Sequence, residues 1–312
     1  MIFLPTSENF KEAINILQKG DLIGFPTETV YGLAADATHD LAIAKIFEIK
    51  KRPTFNPLII HGYSLDALKG HVMWNDKAEI LADAFWPGPL TLVLPRLASS
   101  SLSLLASAGL DSLAIRIPSH EIALRLIREF GGLIAAPSAN PSGKLSPTQA
   151  RHVREDFPNL FVLEGGDTAI GLESTIVDLT TSPPHLLRPG GIPKEEIEAF
   201  IGFVQGASSD PIKAPGMMSS HYAPTLPLRL NADAPLEEEA FLAFGPMPHK
   251  GEHVLNLSPT KNLREAAANF FKMLRLLDRP PFRGIAVASL PTNGLGRALN
   301  DRLMRAAAPR GL

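Results

Sequence analysis

Four stretches of this sequence put cations, hydroxyls and carboxylates where apolar runs end. The first, 26–33, places Thr27, Glu28, Thr29 and Tyr31 directly after such a run. Ligands of open α/β sheets bind outside strand ends, which suits this cluster. The alternative is a strand-to-helix turn in which Thr27 or Thr29 caps a helix. The second stretch is Lys50-Lys51-Arg52-Pro53, followed by Asn56, Pro57 and His61. Cations at a helix C-terminus meet the negative end of its dipole, and that alone could account for them. Pro53 and Pro57 hold the chain extended just beyond the cations and fix their direction. Arg suits a forked phosphate contact and Lys supplies a compact charge, so the chemical reading is a phosphate site. His61 by itself reads as a satisfied structural histidine.

The third stretch, 135–148, opens from an apolar run into small residues and hydroxyls, with Ala136, Ser138, Asn140 and Ser146 among them. Backbone amides of such a loop can approach an anion closely. The alternative is a Ser/Asn turn leading to a helix capped by Ser146 or Thr148. Upstream, Ser112 and Arg116 stand four apart on an expected strand and therefore face one side of it. An Arg inside that apolar run needs an anionic partner, either a substrate carboxylate or a structural Asp or Glu. The fourth stretch pairs Gly171-Leu172-Glu173-Ser174-Thr175 with Leu187-Arg188-Pro189-Gly190-Gly191. Arg188 there either serves a site or caps a strand edge. The phosphate loop G-x-x-x-x-G-K-[ST], a strand-linked G-x-G-x-x-G, the kinase signature set and H-E-x-x-H are all missing. With no His cluster to cage a metal, Mg²⁺ would arrive with the phosphates.

The elements that must carry these residues alternate. A helix capped by Ser7 has the stripe Phe10, Ile14, Leu17 and ends at Gly20. Strands are expected over 21–25, 57–60, 90–94, 113–117, 133–136, 175–179 and 185–188. Helices are expected over 41–49, 77–85, 121–130 and 194–200. Residues 99–109 read as a mobile excursion. Several strands lie close enough for hairpins, so the sheet should be mixed. The stretch from 206 to 227 is rich in Pro, Gly, Ser and Met, without periodicity, and reads as a linker. Beyond it, strands over 241–244, 253–257 and 284–288 and helices over 262–277 and 298–308 make a small α/β unit. The organisation is a catalytic domain over 1–203, a linker or lid over 204–228 and a C-terminal domain over 229–312.

The bulk numbers fit a folded chain. Of 312 residues, 45% are hydrophobic and 20% charged, enough for a sizeable core and against a disordered chain. A net charge of −2 offers no global attraction to a polyanion, so any nucleic acid would have to meet a local patch. The absence of cysteine removes disulfides, thiolate zinc sites and a thiol nucleophile. Glu8, Lys11, Glu12 and Lys19 interrupt the first twenty residues, so no signal peptide is expected, and no apolar run is long enough to span a membrane. The expected location is the cytoplasm.

Taken together, the segments resemble the Sua5/YrdC family of threonylcarbamoyl-AMP synthases. The matches are PTETVYGL (26–33), KKRPTFNPLIIH (50–61), SLAIRIP (112–118), APSANPSGKLSPT (136–148), GLESTIVD (171–178) and LLRPGGI (186–192), in the family's order. APGMMSSHYAP (214–224) and GLGRALNDRLMRAA (294–307) resemble the two-domain Sua5 branch. The resemblance implies a YrdC-like α/β fold: a twisted mixed sheet with flanking helices and a concave active-site cavity, plus a small Rossmann-like C-terminal domain. It implies a nucleotidyltransferase that makes L-threonylcarbamoyladenylate and pyrophosphate from L-threonine, bicarbonate and ATP. That product feeds the t6A modification at position 37 of tRNA through downstream threonylcarbamoyl-transfer proteins, with at most a weak tRNA contact. Carried over by position, Thr29, Tyr31, His61, Arg116, Ala136 and Ser174 should hold threonine. Lys50, Arg52, Asn56, Ser112, Ser138, Ser146, Arg188, His221 and Tyr222 should hold ATP, with Lys50 and Arg52 nearest the chemistry. Two departures stand out: Met218, Ser219 and Ser220 replace the basic and aromatic residues common in the linker, and Ser112 replaces a common Thr. The rival readings are a double-stranded RNA-binding module without synthase activity and a carbamoyl-transferring relative. The near-neutral charge weighs against the first, and the missing cysteines against the second.

Overall fold

Short apolar runs bounded by Pro, Gly or polar residues build a sheet buried on both faces. This computed structural model describes residues 1–206, 214–215, 221–247, 251 and 253–309. The chain begins with β1 (Ile2–Phe3), α1 (Ser7–Gln18), β2 (Ile23–Phe25), β3 (Gly32–Asp36), α2 (Asp40–Lys50) and β4 (Ile59–His61). There follow α3 (Leu65–Lys69), α4 (Asp76–Phe85), β5 (Leu90–Pro95), β6 (Ser112–Arg116), α5 (Glu121–Phe130) and β7 (Ile134–Ala135). Then come α6 (Ala150–Asp156), β8 (Phe161–Leu163), β9 (Thr175–Asp178), β10 (His185–Arg188) and α7 (Lys194–Ile201). The last elements are β11 (Leu228–Arg229), β12 (Glu239–Ala243), β13 (Val254–Asn256), α8 (Leu263–Leu277), β14 (Gly284–Val287) and α9 (Leu295–Ala307).

The first ten strands form one sheet in the order β1-β8-β2-β3-β7-β4-β6-β5-β9-β10. Its pairing is mixed, as expected: β4 runs parallel to β6 and β5 to β9, while β2–β3, β5–β6 and β9–β10 are antiparallel. Strands β11–β14 form a separate parallel sheet in the order β11-β14-β12-β13. The apolar stripe of α8 covers it, and Phe270 and Phe271 are fully buried there. Each such ring contributes about 1.5–3 kcal/mol of burial. No helix among the described residues is long and apolar enough to cross a membrane.

The two units pack on one another. Val30, Leu145 and Leu172 of the first share a buried cluster with the α8 and α9 residues of the second. Gly171, at φ +74°, lies so near α8 that a Cβ there would sit 2.4 Å from the Ala267 carbonyl oxygen. Only glycine permits that approach.

Several local expectations need correction. The cap of α1 is Thr6, whose hydroxyl accepts from the Asn9 amide, and not Ser7. Neither Ser146 nor Thr148 caps α6; Gln149 precedes it without a side-chain cap. Residues 99–109 are no loose excursion: Leu102, Ser103, Ala106 and Ser107 are buried, and the Leu58 amide donates to the Ala106 carbonyl. The segment 26–31 leads into strand β3 and not into a helix. β1, β3, β8, β11 and α3 were not foreseen, because runs of two to five small or mixed residues carry no readable period.

Candidate active site

Register builds the first part of the site. In the parallel pair β4–β6, His61 stands opposite Arg116 at the strand ends. The Arg116 Nε donates to the Gly88 carbonyl at 3.1 Å, and Nη1 donates to Thr29 Oγ1 at 3.1 Å. Its Nη2 lies 2.7 Å from Glu28 Oε1. Of the two partners open to this buried guanidinium, the protein itself therefore supplies a structural glutamate. The loop bearing Glu28 is tied by Thr27, whose Oγ1 donates to the Val30 carbonyl at 2.6 Å and stands 2.8 Å from Thr29 Oγ1. His61 Nδ1 is 3.1 Å from the Ile59 carbonyl oxygen, to which it must donate. Burial and the nearby Arg116 charge push the His61 pKa down to about 3, so the ring is neutral.

Irregular backbone builds the second part. The β9–β10 register shifts between Leu186 and Arg188, and such irregularities re-aim the side chains that follow. Arg188 Nε and Nη2 donate to the Ser174 carbonyl at 3.1 and 2.9 Å, and Nη2 also donates to Ser174 Oγ at 3.1 Å. Its Nη1 donates to the Pro215 carbonyl of the linker at 3.3 Å. Gly190 allows this crossing, because a Cβ there would lie 2.4 Å from the Glu173 carbonyl oxygen. Burial would raise the Glu173 carboxyl, but Arg302, Arg188 and the Ser146 hydroxyl hold it below the usual range.

The cations after α2 are turned inward. Arg52 Nε and Nη2 donate to the Asn56 and Pro57 carbonyls at 3.0 and 2.7 Å, closing the turn that the prolines stiffen. Burial pushes the Arg52 pKa down to about 9, which leaves it charged at neutral pH. Lys50 Nζ donates to the carbonyls of Ser138 and Asn140, binding the end of α2 to the 137–143 loop. These groups gather around one cavity. Thr29, Arg52, His61, Arg116, Ala136, Ser138, Ser174, Arg188, His221 and Tyr222 all line it.

Known proteins share this architecture along the whole chain. A family model for Sua5, YciO and YrdC proteins, described as "Telomere recombination", matches residues 15–190. A second, "Threonylcarbamoyl-AMP synthase, C-terminal domain", matches 192–308. The threonylcarbamoyl-AMP synthase of Pyrococcus abyssi is 44% identical, over 96% of this chain and 94% of that protein. That of Bacillus subtilis is 40% identical over 96% and 93%. This chain belongs to the Sua5 family of threonylcarbamoyl-AMP synthases. The crystal structure of P. abyssi Sua5 complexed with L-threonine superposes with a TM-score of 0.90 at 40% identity, covering 98% of this chain and 97% of that one.

Within this Sua5 frame, five expected residues stand off the cavity wall. Tyr31 is buried and its hydroxyl donates to the Gly166 carbonyl at 2.9 Å, so it braces the 26–33 loop from behind. Lys50 and the buried Asn56 support the wall through the contacts of the 50–57 turn. Ser146 donates to Glu173 Oε1 at 2.5 Å and so reaches the cavity through that carboxylate. Ser112 begins β6 opposite Pro95, four residues from Arg116, and does not line the cavity. Sharing a face of a strand does not bring residues together along it: four residues span about 13 Å.

His221 and Tyr222 are both buried on the wall although their neighbours Met218, Ser219 and Ser220 lie outside the described residues. Backbone bonds pin this part of the linker to both units: His221 N–H donates to the Arg305 carbonyl at 3.2 Å and Ala223 N–H to the Gly143 carbonyl at 2.7 Å. Thr27, read as part of the strand-end cluster or as a helix cap but given no ligand, lines the cavity, as do Glu173 and Pro215, for which no role was expected. Thr27 and Glu173 sat inside quoted motifs, and that was the available signal.

Proposed function

We propose that this chain condenses L-threonine, bicarbonate and ATP into L-threonylcarbamoyladenylate, with release of pyrophosphate and water. The observation that carries the reading is a single cavity in which Arg52, Arg116 and Arg188 converge with Ser138, Ser174 and Thr29. Two carboxylate-bearing or phosphorylated substrates need such charge, held in fixed directions. Similarity over nearly the whole chain to proteins of this name supports the chemistry.

In this reading Arg116 receives the threonine carboxylate, with Thr29, His61, Ala136 and Ser174 around the rest of the amino acid. Neutral His61 adds no competing charge beside the amine. Carboxylation of that amine gives a carbamate, whose oxygen attacks the α-phosphorus of ATP as pyrophosphate leaves. Arg52, Arg188 and Ser138 hold the phosphates, while His221 and Tyr222 cover the nucleotide and exclude water from a labile anhydride. Lys50, Asn56, Ser146 and Tyr31 act from behind the wall, and Ser112 is outside the site.

Among the described residues no group of three or more His, Asp or Glu could cage a metal. Magnesium is assigned to the substrate MgATP, where it neutralises phosphate charge. The adenylate passes to threonylcarbamoyl-transfer proteins that modify tRNA, and the setting is the cytoplasm. Direct tRNA binding is not needed for this chemistry, and a net charge of −2 offers no global attraction to RNA.

The test is pyrophosphate release by the purified protein with all three substrates, and with each omitted in turn. Release should require threonine and bicarbonate as well as ATP. Unchanged release without threonine would remove the assigned substrate.

A further inference from the structure

The largest fully buried side chain among the described residues is a cation of the C-terminal domain. Arg302, on α9, has no exposed surface. Its Nε donates to Glu173 Oε2 at 2.9 Å, and its Nη1 donates to the Pro189 carbonyl at 2.8 Å and to Asp301 Oδ2 at 2.8 Å. Glu173 immediately precedes Ser174, and Pro189 immediately follows Arg188. One guanidinium thus grips, from behind, the two segments that present Ser174 and Arg188 to the cavity. It also lies 5.0 Å from the centre of the Tyr222 ring, on the linker.

We infer that Arg302 is a positioning residue for the wall formed by Ser174 and Arg188: docking of the C-terminal domain sets both the geometry of these two residues and the charge of the cavity wall. The charge argument rests on Glu173. Among the described residues it is the carboxylate that lines the cavity. An uncompensated anion there would repel the phosphates of ATP, and Arg302 neutralises it at hydrogen-bonding distance. The inference rests on the assignment of ATP to this cavity.

A simpler account is that Arg302 only glues two domains together. Arg275 provides the control. On α8, it donates to the Leu145 carbonyl at 2.7 Å and to Asp156 Oδ2 at 2.7 Å, so it joins the same two units without touching a residue that lines the cavity.

The experiment compares full-length wild type, Arg302→Met, Arg302→Lys, Arg302→Met with Glu173→Gln, and Arg275→Met. Each is measured for ATP affinity by calorimetry, for KM and kcat in pyrophosphate release, and for Tm. Arg302→Met should weaken ATP binding about 10-fold or more and lower kcat, and threonine KM should rise by a smaller factor, because Ser174 is the one threonine-binding group that Arg302 supports. Lysine should restore part of the ATP affinity, because it returns the charge but cannot fork between Glu173 and Pro189. Should Arg302→Met fail to fold with Glu173 left unpaired, the double variant removes that charge and must still show lowered kcat. Arg275→Met should lower Tm and leave ATP affinity near wild type. Equal ATP affinity and kcat for Arg302→Met and Arg275→Met at matched Tm overturns the clamp. Wild type that binds ATP but releases no threonine-dependent pyrophosphate overturns the synthase reading and leaves the clamp standing on the ATP affinities; wild type that binds no ATP overturns both.

Discussion

The two halves of the cavity wall are built by different means. His61 and Arg116 sit at the ends of neighbouring parallel strands, and sheet register alone puts them side by side. Ser174, Arg188 and Tyr222 stand just before a strand, just after a register shift and on a linker. Arg188 bonds directly to Ser174, and Arg302, from another domain, braces both through their neighbours Glu173 and Pro189 and lies beside the Tyr222 ring. A ladder of backbone hydrogen bonds resists distortion; a cluster of irregular segments keeps its shape only while its cross-contacts persist. The strand-built half should therefore fail by loss of single groups, and the segment-built half by loss of support.

The largest effect is expected in the strand-built half. Arg116→Met removes the proposed receptor of the threonine carboxylate and leaves Glu28 buried without its ion partner. Activity should fall about 10³-fold or more, with stability lower by roughly 3–5 kcal/mol. Adding Glu28→Gln should recover most of the stability and none of the activity. Steady-state kinetics and urea unfolding of both variants check this. Activity recovered with the stability would make Arg116 a structural cation only, and the contrast between the halves would collapse.

Next in size is Arg52→Ala. Arg52 lines the cavity while holding the Asn56 and Pro57 carbonyls. Removing one fixed cation from the phosphate site should cost about 10²-fold or more in kcat/KM for ATP. The fold should survive with a lower Tm, because the prolines still stiffen the 52–57 turn. Full activity would take Arg52 out of the site.

How legible all this was depends on how local each cause is. Thr29 and Arg116 could be read because each ends a short apolar run, and an Arg in such a run demands an anion; His61 by itself read as structural and gained a site role only through the family resemblance. That the anion includes Glu28, only one position before Thr29, could not be read, since loop geometry decides which carboxylate turns inward. The cations at 50–52 were legible as a cluster but not in direction: Lys50 points at the 137–143 loop, closing a contact between residues 88 apart. β3 went unseen because Gly32–Asp36 is mostly small residues buried without alternation. Arg302 stands inside the quoted segment 294–307, but its contact could not be read there, because its partner Glu173 lies 129 residues away.

Acid should separate the halves by stability. His61 belongs to the first and His221 to the second, and burial pushes each down to about 3 from an ordinary value of 6.5. Between those values the unfolded chain binds protons that the native state refuses, so stability present above pH 6.5 is lost as pH falls toward 3. Each histidine should contribute about 1.4 kcal/mol of loss per pH unit in that window. Urea unfolding at pH 7, 6 and 5 measures the slope. Replacing His61 with Gln should remove its full share, whereas His221→Gln should remove less if the linker opens locally and lets its ring protonate. Equal shares would mean that the two halves are equally rigid, and a flat profile would mean that neither ring is kept neutral.

The smallest effect is expected where a contact between the domains is exposed. Arg297, on the same helix as Arg302, lies 2.8 Å from Glu195 Oε1, but both side chains are more than 40% exposed. Water screens such a pair, so Arg297→Ala should change stability by about 0.5 kcal/mol or less. Its kcat and both KM values should match wild type, since it touches neither the 171–175 nor the 187–191 segment. If Arg297→Ala lowered kcat as Arg302→Met does, any loosening of the domains would suffice to disturb the site. The segment-built half would then depend on docking as a whole, and not on the one guanidinium that reaches its back.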